Sequence, residues 1–121
     1  MASNIPNYVI VDTNVLIYAV QRRIRLEDAV LEIPGISTIV IPSCVMAELY
    51  GLSRRNVDAK VAYEYCRRFR IIEAPGKGDE CIISAAKQTG AMVITNDKEL
   101  AQRLIRSGLR AGMLSGKKII F

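Results

Sequence analysis

Three short runs in this chain are apolar almost without interruption: Tyr8-Val9-Ile10-Val11, Ile39-Val40-Ile41 and Met92-Val93-Ile94. A strand with one wet face alternates apolar and polar residues; a strand covered on both faces does not. Strands are expected over 8–12, 37–41, 70–73, 92–95 and 117–121. Helical periodicity fills the gaps. Val61, Tyr65 and Phe69 recur every four residues, Cys81, Ile82, Ala85 and Ala86 mark one helix face, and Leu100, Ala101, Leu104 and Ile105 mark another. Pro42-Ser43 reads as a strand exit followed by an N-cap, Asn96-x-x-Glu99 as a capping box, and Gly90 and Gly108 as helix C-termini. Strands alternating with helices imply an α/β fold with a mainly parallel sheet.

In such sheets the site lies outside the carboxyl ends of the strands, where strand order reverses. Four carboxylates fall near such ends. Asp12 closes the first run, and Asp97 follows the third after Thr95-Asn96. Glu48 lies a turn into the helix after the second, and Asp79 follows Gly76-Lys77-Gly78 and opens a helix. A buried or half-buried carboxylate is costly unless something positive meets it. Singly, three have plain structural readings: Asp12 as a cap, Asp79 and Asp97 as first-turn acids favoured by the helix dipole. Glu48 lies beyond reach of a cap, among apolar Val45, Ala47, Leu49 and Leu52. As a set, with no histidine in the chain, the four suggest oxygen ligands for Mg²⁺ or Mn²⁺. The missing histidine excludes a histidine acid–base ribonuclease and a histidine-ligated zinc site.

The neighbouring polar groups are expected to play lesser parts. Asn14 and Thr95 stand beside the acids and either orient water or satisfy backbone ends. Glu80 points about 100° away from Asp79 around its helix and acts at one remove. Lys77 is the candidate phosphate contact, although the segment is not a P-loop. Tyr50, Tyr63 and Tyr65 read as core or helix-surface residues rather than base-stacking platforms.

A chain of 121 residues, half of them apolar, fits one domain with a real core. No apolar stretch reaches membrane-spanning length, and the polar segment Met1 to Tyr8 does not resemble a signal peptide. A soluble, cytoplasmic protein is expected. Cys44, Cys66 and Cys81 are odd in number, lie in apolar contexts and form no Cys-x-x-Cys pair, so all three read as small buried hydrophobes. Seventeen basic against 12 acidic residues give a net charge of +5, an excess that attracts polyanions without identifying one.

The ordered set Val11-Asp12-Thr13-Asn14, Pro42-Ser43 to Glu48, Gly78-Asp79 and Thr95-Asn96-Asp97 resembles the PIN-domain nucleases, from about Tyr8 to Phe121. The closing stretch, Ile94 to Leu100 with Gly116-Lys117-Lys118, looks more like archaeal PIN proteins related to ribosomal-RNA processing nucleases than like the toxin branch. The resemblance implies one PIN-like domain over residues 1–121, a three-layer α/β/α sandwich on a mainly parallel five-stranded sheet. It implies a hydrolase, an endoribonuclease that cuts RNA phosphodiester bonds with one or two Mg²⁺ or Mn²⁺ ions. Asp12, Glu48, Asp79 and Asp97 then form the catalytic and metal-binding set, with Asn14 and Thr95 in support. RNA is the implied partner; a homodimer, and pre-ribosomal factors or an antitoxin, are further partners that the resemblance admits. Two other functions stay open beside it: a toxin ribonuclease, and a non-catalytic RNA- or protein-binding scaffold. A haloacid-dehalogenase-type phosphatase needs a second Asp where this chain has Asn14, and a receiver domain needs an acidic pair that the N-terminal run lacks.

Overall fold

The three apolar runs form β1 (Tyr8–Val11), β2 (Thr38–Pro42) and β4 (Met92–Ile94) in a computed structural model that describes residues 7–35 and 38–121. Ser37, the first residue of one expected strand, lies outside the described residues. Val9, Ile10 and Val11 are each 0 % exposed. Because successive strand residues point to opposite faces, the sheet must be covered on both sides, which is the three-layer α/β/α arrangement. Among the described residues six helices do the covering: α1 (Thr13–Gln21), α2 (Leu26–Leu31), α3 (Ser43–Leu52), α4 (Val57–Cys66), α5 (Asp79–Thr89) and α6 (Lys98–Arg106).

Among the described residues the sheet has six strands rather than the expected five. β3 (Arg70–Ile72) and β6 (Lys118–Ile120) match expected segments, and β5 (Ala111–Ser115) is additional. Strand order is β3-β2-β1-β4-β5-β6, with parallel pairing throughout except for the antiparallel β5–β6 edge. The Ala-Gly-Met-Leu-Ser sequence of β5 carries little strand signal because its residues are chosen by space. A Cβ on Gly112 would come within 3.0 Å of both Ile119 Cγ2 and Ile94 Cδ1. The chain fills one half of the sheet with β1, β2 and β3, then returns to the far side of β1 with β4. The reversal falls between β1 and β4, and their register (Val11 opposite Ile94) sets Asp12 and Thr95 side by side just past the strands.

Several local expectations need correction. Pro42, not Ser43, is the N-cap position of α3; Ser43 Oγ accepts instead from Ala74 N–H at 3.4 Å. Asn96 caps nothing: its Oδ1 accepts from Leu114 N–H at 3.0 Å and ties β5 to the β4–α6 turn, while Asp97 caps α6. Ile105 is exposed, so the buried stripe of α6 is Leu100 and Leu104 alone. Phe69 lies beyond the end of α4. Gly90 does end α5 in the left-handed conformation.

The cysteines divide. Cys66 is a buried free thiol, pushed up to about 12 by burial, as suits an inert core residue. Cys44 and Cys81 form a disulfide between α3 and α5, with Cα atoms 6.4 Å apart. An odd cysteine count and a separation of 37 residues hide such a bridge from pattern reading.

The tyrosines play the structural parts expected. Tyr50 and Tyr63 pack with ring centroids 5.6 Å apart. The Tyr65 hydroxyl donates to Glu27 Oε1 of α2, and Arg68 approaches the other carboxylate oxygen at 3.5 Å. Burial pushes the Glu27 carboxyl up, but the Tyr65 hydroxyl and the Arg68 charge outweigh it and hold it below its ordinary range. Tyr65→Phe keeps the ring against Phe69 and removes only the donor. It is expected to cost about 1–2 kcal/mol in a urea melt; an unchanged midpoint would show that the bond contributes nothing.

Candidate active site

The carboxyl ends of β1 and β4 open into a cleft of about 290 Å³, bounded by the starts of α1, α3 and α5 and by the turn before α6. Asp12, Glu48, Asp79 and Asp97 all line it, with Asn14 and Thr13 at one wall and Cys44 and Val45 at another. The four acids, separated along the chain, therefore meet in one place. They do not share one environment. Asp12 is buried at 9 % exposure and Asp79 is half-buried, whereas Glu48 and Asp97 are exposed. The apolar neighbours that made Glu48 look buried in sequence point elsewhere around α3: Val45 and Leu49 enter the core while Glu48 faces the cleft.

Asp12 has the most constrained side chain of the four. It is the N-cap of α1, with Oδ1 accepting from Thr13 N–H at 2.8 Å. Its Oδ2 accepts from Thr95 Oγ1 at 2.9 Å, and its own N–H donates to Ile94 O at 3.0 Å. Thr95, 1 % exposed, also accepts from Asp97 N–H at 3.1 Å, so one hydroxyl links both strand-end acids. Burial pushes the Asp12 carboxyl above the ordinary carboxylate range. The bonds from Thr95 and Thr13 oppose the shift, and the charges of Asp79 and Glu48 add to it.

Asp97 and Asp79 are each held by a second interaction. Asp97 caps α6 with a single oxygen, Oδ1, which accepts from Glu99 N–H at 2.9 Å and Leu100 N–H at 3.3 Å. Asp79 begins α5 after Gly78, whose φ of +57° is one that side chains rarely adopt. Its Oδ2 lies 3.7 Å from Arg103 Nη1 of α6, and Arg103 also binds Glu80. Glu80 thus acts on Asp79 through a shared arginine. Burial raises the Asp79 carboxyl, the Asp97 charge raises it further, and Arg103 works against both. As the side chains stand, no three acidic or cysteine groups among the described residues are gathered closely enough to hold one ion.

Of the supporting residues, Asn14 is exposed and lines the cleft. Lys77 is exposed and does not line it; its carbonyl accepts from Glu80 N–H at 3.2 Å. Thr13 went unnoticed as a site residue in the sequence. The residue borders the cleft at 1 % exposure, and its buried hydroxyl has no hydrogen-bond partner among the described residues. A threonine directly after a strand-end aspartate was the available signal.

Fold and cleft together define a class of protein: a parallel-sheet α/β domain that presents several carboxylates at its topological switch point. The chain belongs to the PIN family, whose model, described as a PIN like domain, matches residues 9–117. It is 32 % identical over 117 residues to Ribonuclease VapC9 of Archaeoglobus fulgidus, covering 93 % of this chain and 86 % of that protein. It is 35 % identical over 105 residues to the rRNA-processing protein fcf1 of Schizosaccharomyces pombe, covering 82 % of this chain and 54 % of that protein, and so spans about half of it. Among solved structures, the PIN domain endonuclease Utp24 superposes with a TM-score of 0.78 at 31 % identity, covering 95 % of this chain and 90 % of that one. No helix among the described residues is long and apolar enough to cross a membrane.

Proposed function

We propose that the protein is a metal-dependent endoribonuclease whose cleft hydrolyses RNA phosphodiester bonds, with ribosomal-RNA processing as its setting. One observation carries the reading: Asp12, Glu48, Asp79 and Asp97, from four separate stretches of the chain, all line one cleft at the carboxyl ends of the strands. Asp12 is raised in part by Asp79 and Glu48, and Asp79 in part by Asp97. Such mutual repulsion has no structural benefit, and it is relieved by a cation between them.

The donor set fits Mg²⁺ or Mn²⁺: hard oxygen ligands only, on four carboxylates that line one cleft. Asp12 and Asp97 would be the main ligands, Asp79 would complete the set, and Glu48 at the open side would hold a second ion or a water. When bound, such an ion supplies Lewis-acid activation of water and neutralises phosphoryl charge. The chain's own residues prepare for this. Thr95 fixes the orientation of Asp12, the α6 cap leaves Asp97 Oδ2 available, and Asn14 at the rim can donate to a substrate oxygen. Lys77, exposed in the loop before Asp79, remains a candidate phosphate contact.

Likeness to the rRNA-processing protein fcf1 supports ribosomal RNA as the substrate class, and likeness to Utp24 supports an endonuclease; the comparable identity to VapC9 supports a ribonuclease in either case. The test is cleavage of structured and single-stranded oligoribonucleotides with Mg²⁺, with Mn²⁺ and with EDTA. Cutting that requires an ion is expected. A folded protein that binds RNA but cuts none with either ion would be a scaffold instead. Co-purification with a small inhibitory protein that blocks cutting would favour the antitoxin setting over the ribosomal one.

A further inference from the structure

A second groove, of about 280 Å³, opens beside the cleft between α5 and α6, lined by Glu80, Ile83, Lys87, Arg103, Arg106 and Ser107. Glu80, Ile83 and Lys87 share one face of α5 by their spacing of three and four, and Arg103 and Arg106 share one face of α6, followed by its C-cap Ser107. Cleft and groove meet at the first turn of α5, where Asp79 lines the former and Glu80 the latter. Arg103 spans the junction, touching both carboxylates. Beyond it the groove turns basic. Neither Lys87 nor Arg106 has a carboxylate within ion-pair distance among the described residues, and Arg106 makes only a 3.4 Å bond from Nε to Gln102 O. Lys87 stands eight residues beyond Asp79, about 12 Å along the helix axis.

We infer that this groove is a phosphate-binding subsite for the RNA strand on one side of the cut, with Lys87 and Arg106 as its backbone contacts and Arg103 at its mouth. The inference rests on the ribonuclease reading and adds the path of the substrate to it. An acidic cleft repels a polyanion, so RNA needs an adjoining positive surface to enter it. Among the described residues, the concavity with Arg23, Arg25 and Lys117 is balanced by Asp28 and Glu32, with Arg25 engaged by Asp28 at 3.6 Å, and the two that share Arg68 each carry a glutamate, Arg68 being engaged by Glu27 at 3.5 Å. The plain alternative is that Lys87 and Arg106 merely complement the dipoles at their helix ends. That alternative predicts a lower melting point on neutralisation and no change in RNA binding.

The test compares wild type with K87Q/R106Q in two assays: steady-state cleavage with Mn²⁺, and anisotropy of a fluorescent oligoribonucleotide in EDTA in a D12N background, where cleavage is expected to be negligible. The double variant is expected to raise KM about tenfold, with the loss falling on KM rather than kcat, and to lower the salt slope of log Kobs by about 1.4 between about 50 and 200 mM KCl, two single-strand phosphate contacts' worth. A matched charge removal on α4 and its C-cap, K60Q/R67Q, should leave the slope unchanged. Equal slopes for K87Q/R106Q and its parent, or an equal fall in the α4 control, would overturn the subsite. If wild type cleaves while the groove variant matches it, the subsite fails and the ribonuclease reading stands. If wild type cuts nothing, that reading fails, and the anisotropy still decides the groove.

Discussion

Asp12→Asn is expected to lower RNA cleavage by at least about 10³-fold, the equivalent of about 4 kcal/mol of lost charge stabilisation at the reacting phosphate. The same substitution is expected to leave the metal-free protein as stable as wild type at neutral pH, or more so. The two effects have one cause. Asp12 is buried, and two further carboxylates face it, so its ionised form is the unfavourable one in the folded state. Its folded-state pKa is raised above the unfolded value. The stability it contributes is therefore fullest below the unfolded value of roughly 4 and is lost as pH climbs through the raised one. Asp79 has a raised pKa and contributes with the same sign, more weakly because it is better exposed. Asparagine has no charge to desolvate and keeps an oxygen for Thr13 N–H. Urea melts in EDTA across that window should show wild type losing stability with rising pH and the variant losing less. Added Mn²⁺ should raise the wild-type midpoint and not the variant's. A variant that cuts RNA at the wild-type rate would remove Asp12 from the mechanism, and a variant much less stable at neutral pH would mean that its role is structural.

The reasons why parts of this molecule were legible in the sequence are specific to each part. β1, β2 and β4 stand out because strands covered on both faces must be apolar at every position, and valine and isoleucine satisfy that at little cost. β5 is invisible because Gly112 answers to the crowding of Ile94 and Ile119 rather than to strand preference. Asp12 and Asp97 were ambiguous in sequence between helix cap and site residue, and the ambiguity was in the molecule itself. Each does cap its helix, and each still lines the cleft, because a carboxylate has two oxygens with spare lone pairs and a cap uses few of them. Glu48 earned attention for the wrong reason: its apolar neighbours lie on other faces of α3, and what matters is that it faces the cleft from an exposed position. Arg103 could not be assigned from sequence, since its approach to Asp79 depends on how α5 and α6 lie against each other. Groups whose role follows from neighbours along the chain were readable. Those whose role follows from packing between elements were not.

The disulfide is the clearest case of the second kind, and reducing it is expected to have the largest effect on stability. Cys44 lies one turn before Glu48 on α3, and Cys81 two residues after Asp79 on α5. The bridge thus joins the two helices that bring these acids to the cleft, and it closes a loop across 37 residues. Cross-linking at that separation restricts the unfolded chain enough to stabilise the native state by about 3–4 kcal/mol. For a domain of this size that corresponds to on the order of 10–15 °C in Tm. Wild type melted with and without dithiothreitol should differ by that amount, and thiol titration in denaturant should find Cys66 alone before reduction and all three cysteines after it. The core that surrounds the bridge, with Val45, Leu49, Ile82 and Ile83 buried on the same two helices, is expected to keep the reduced protein folded at 25 °C. Cleavage at that temperature should therefore survive reduction, while the temperature at which activity is lost should fall in step with Tm. A reduced protein with the oxidised Tm would show that the bridge restrains nothing. Activity lost at 25 °C, with the fold intact by circular dichroism, would show instead that the bridge holds Glu48 and Asp79 in place rather than only stabilising the domain around them.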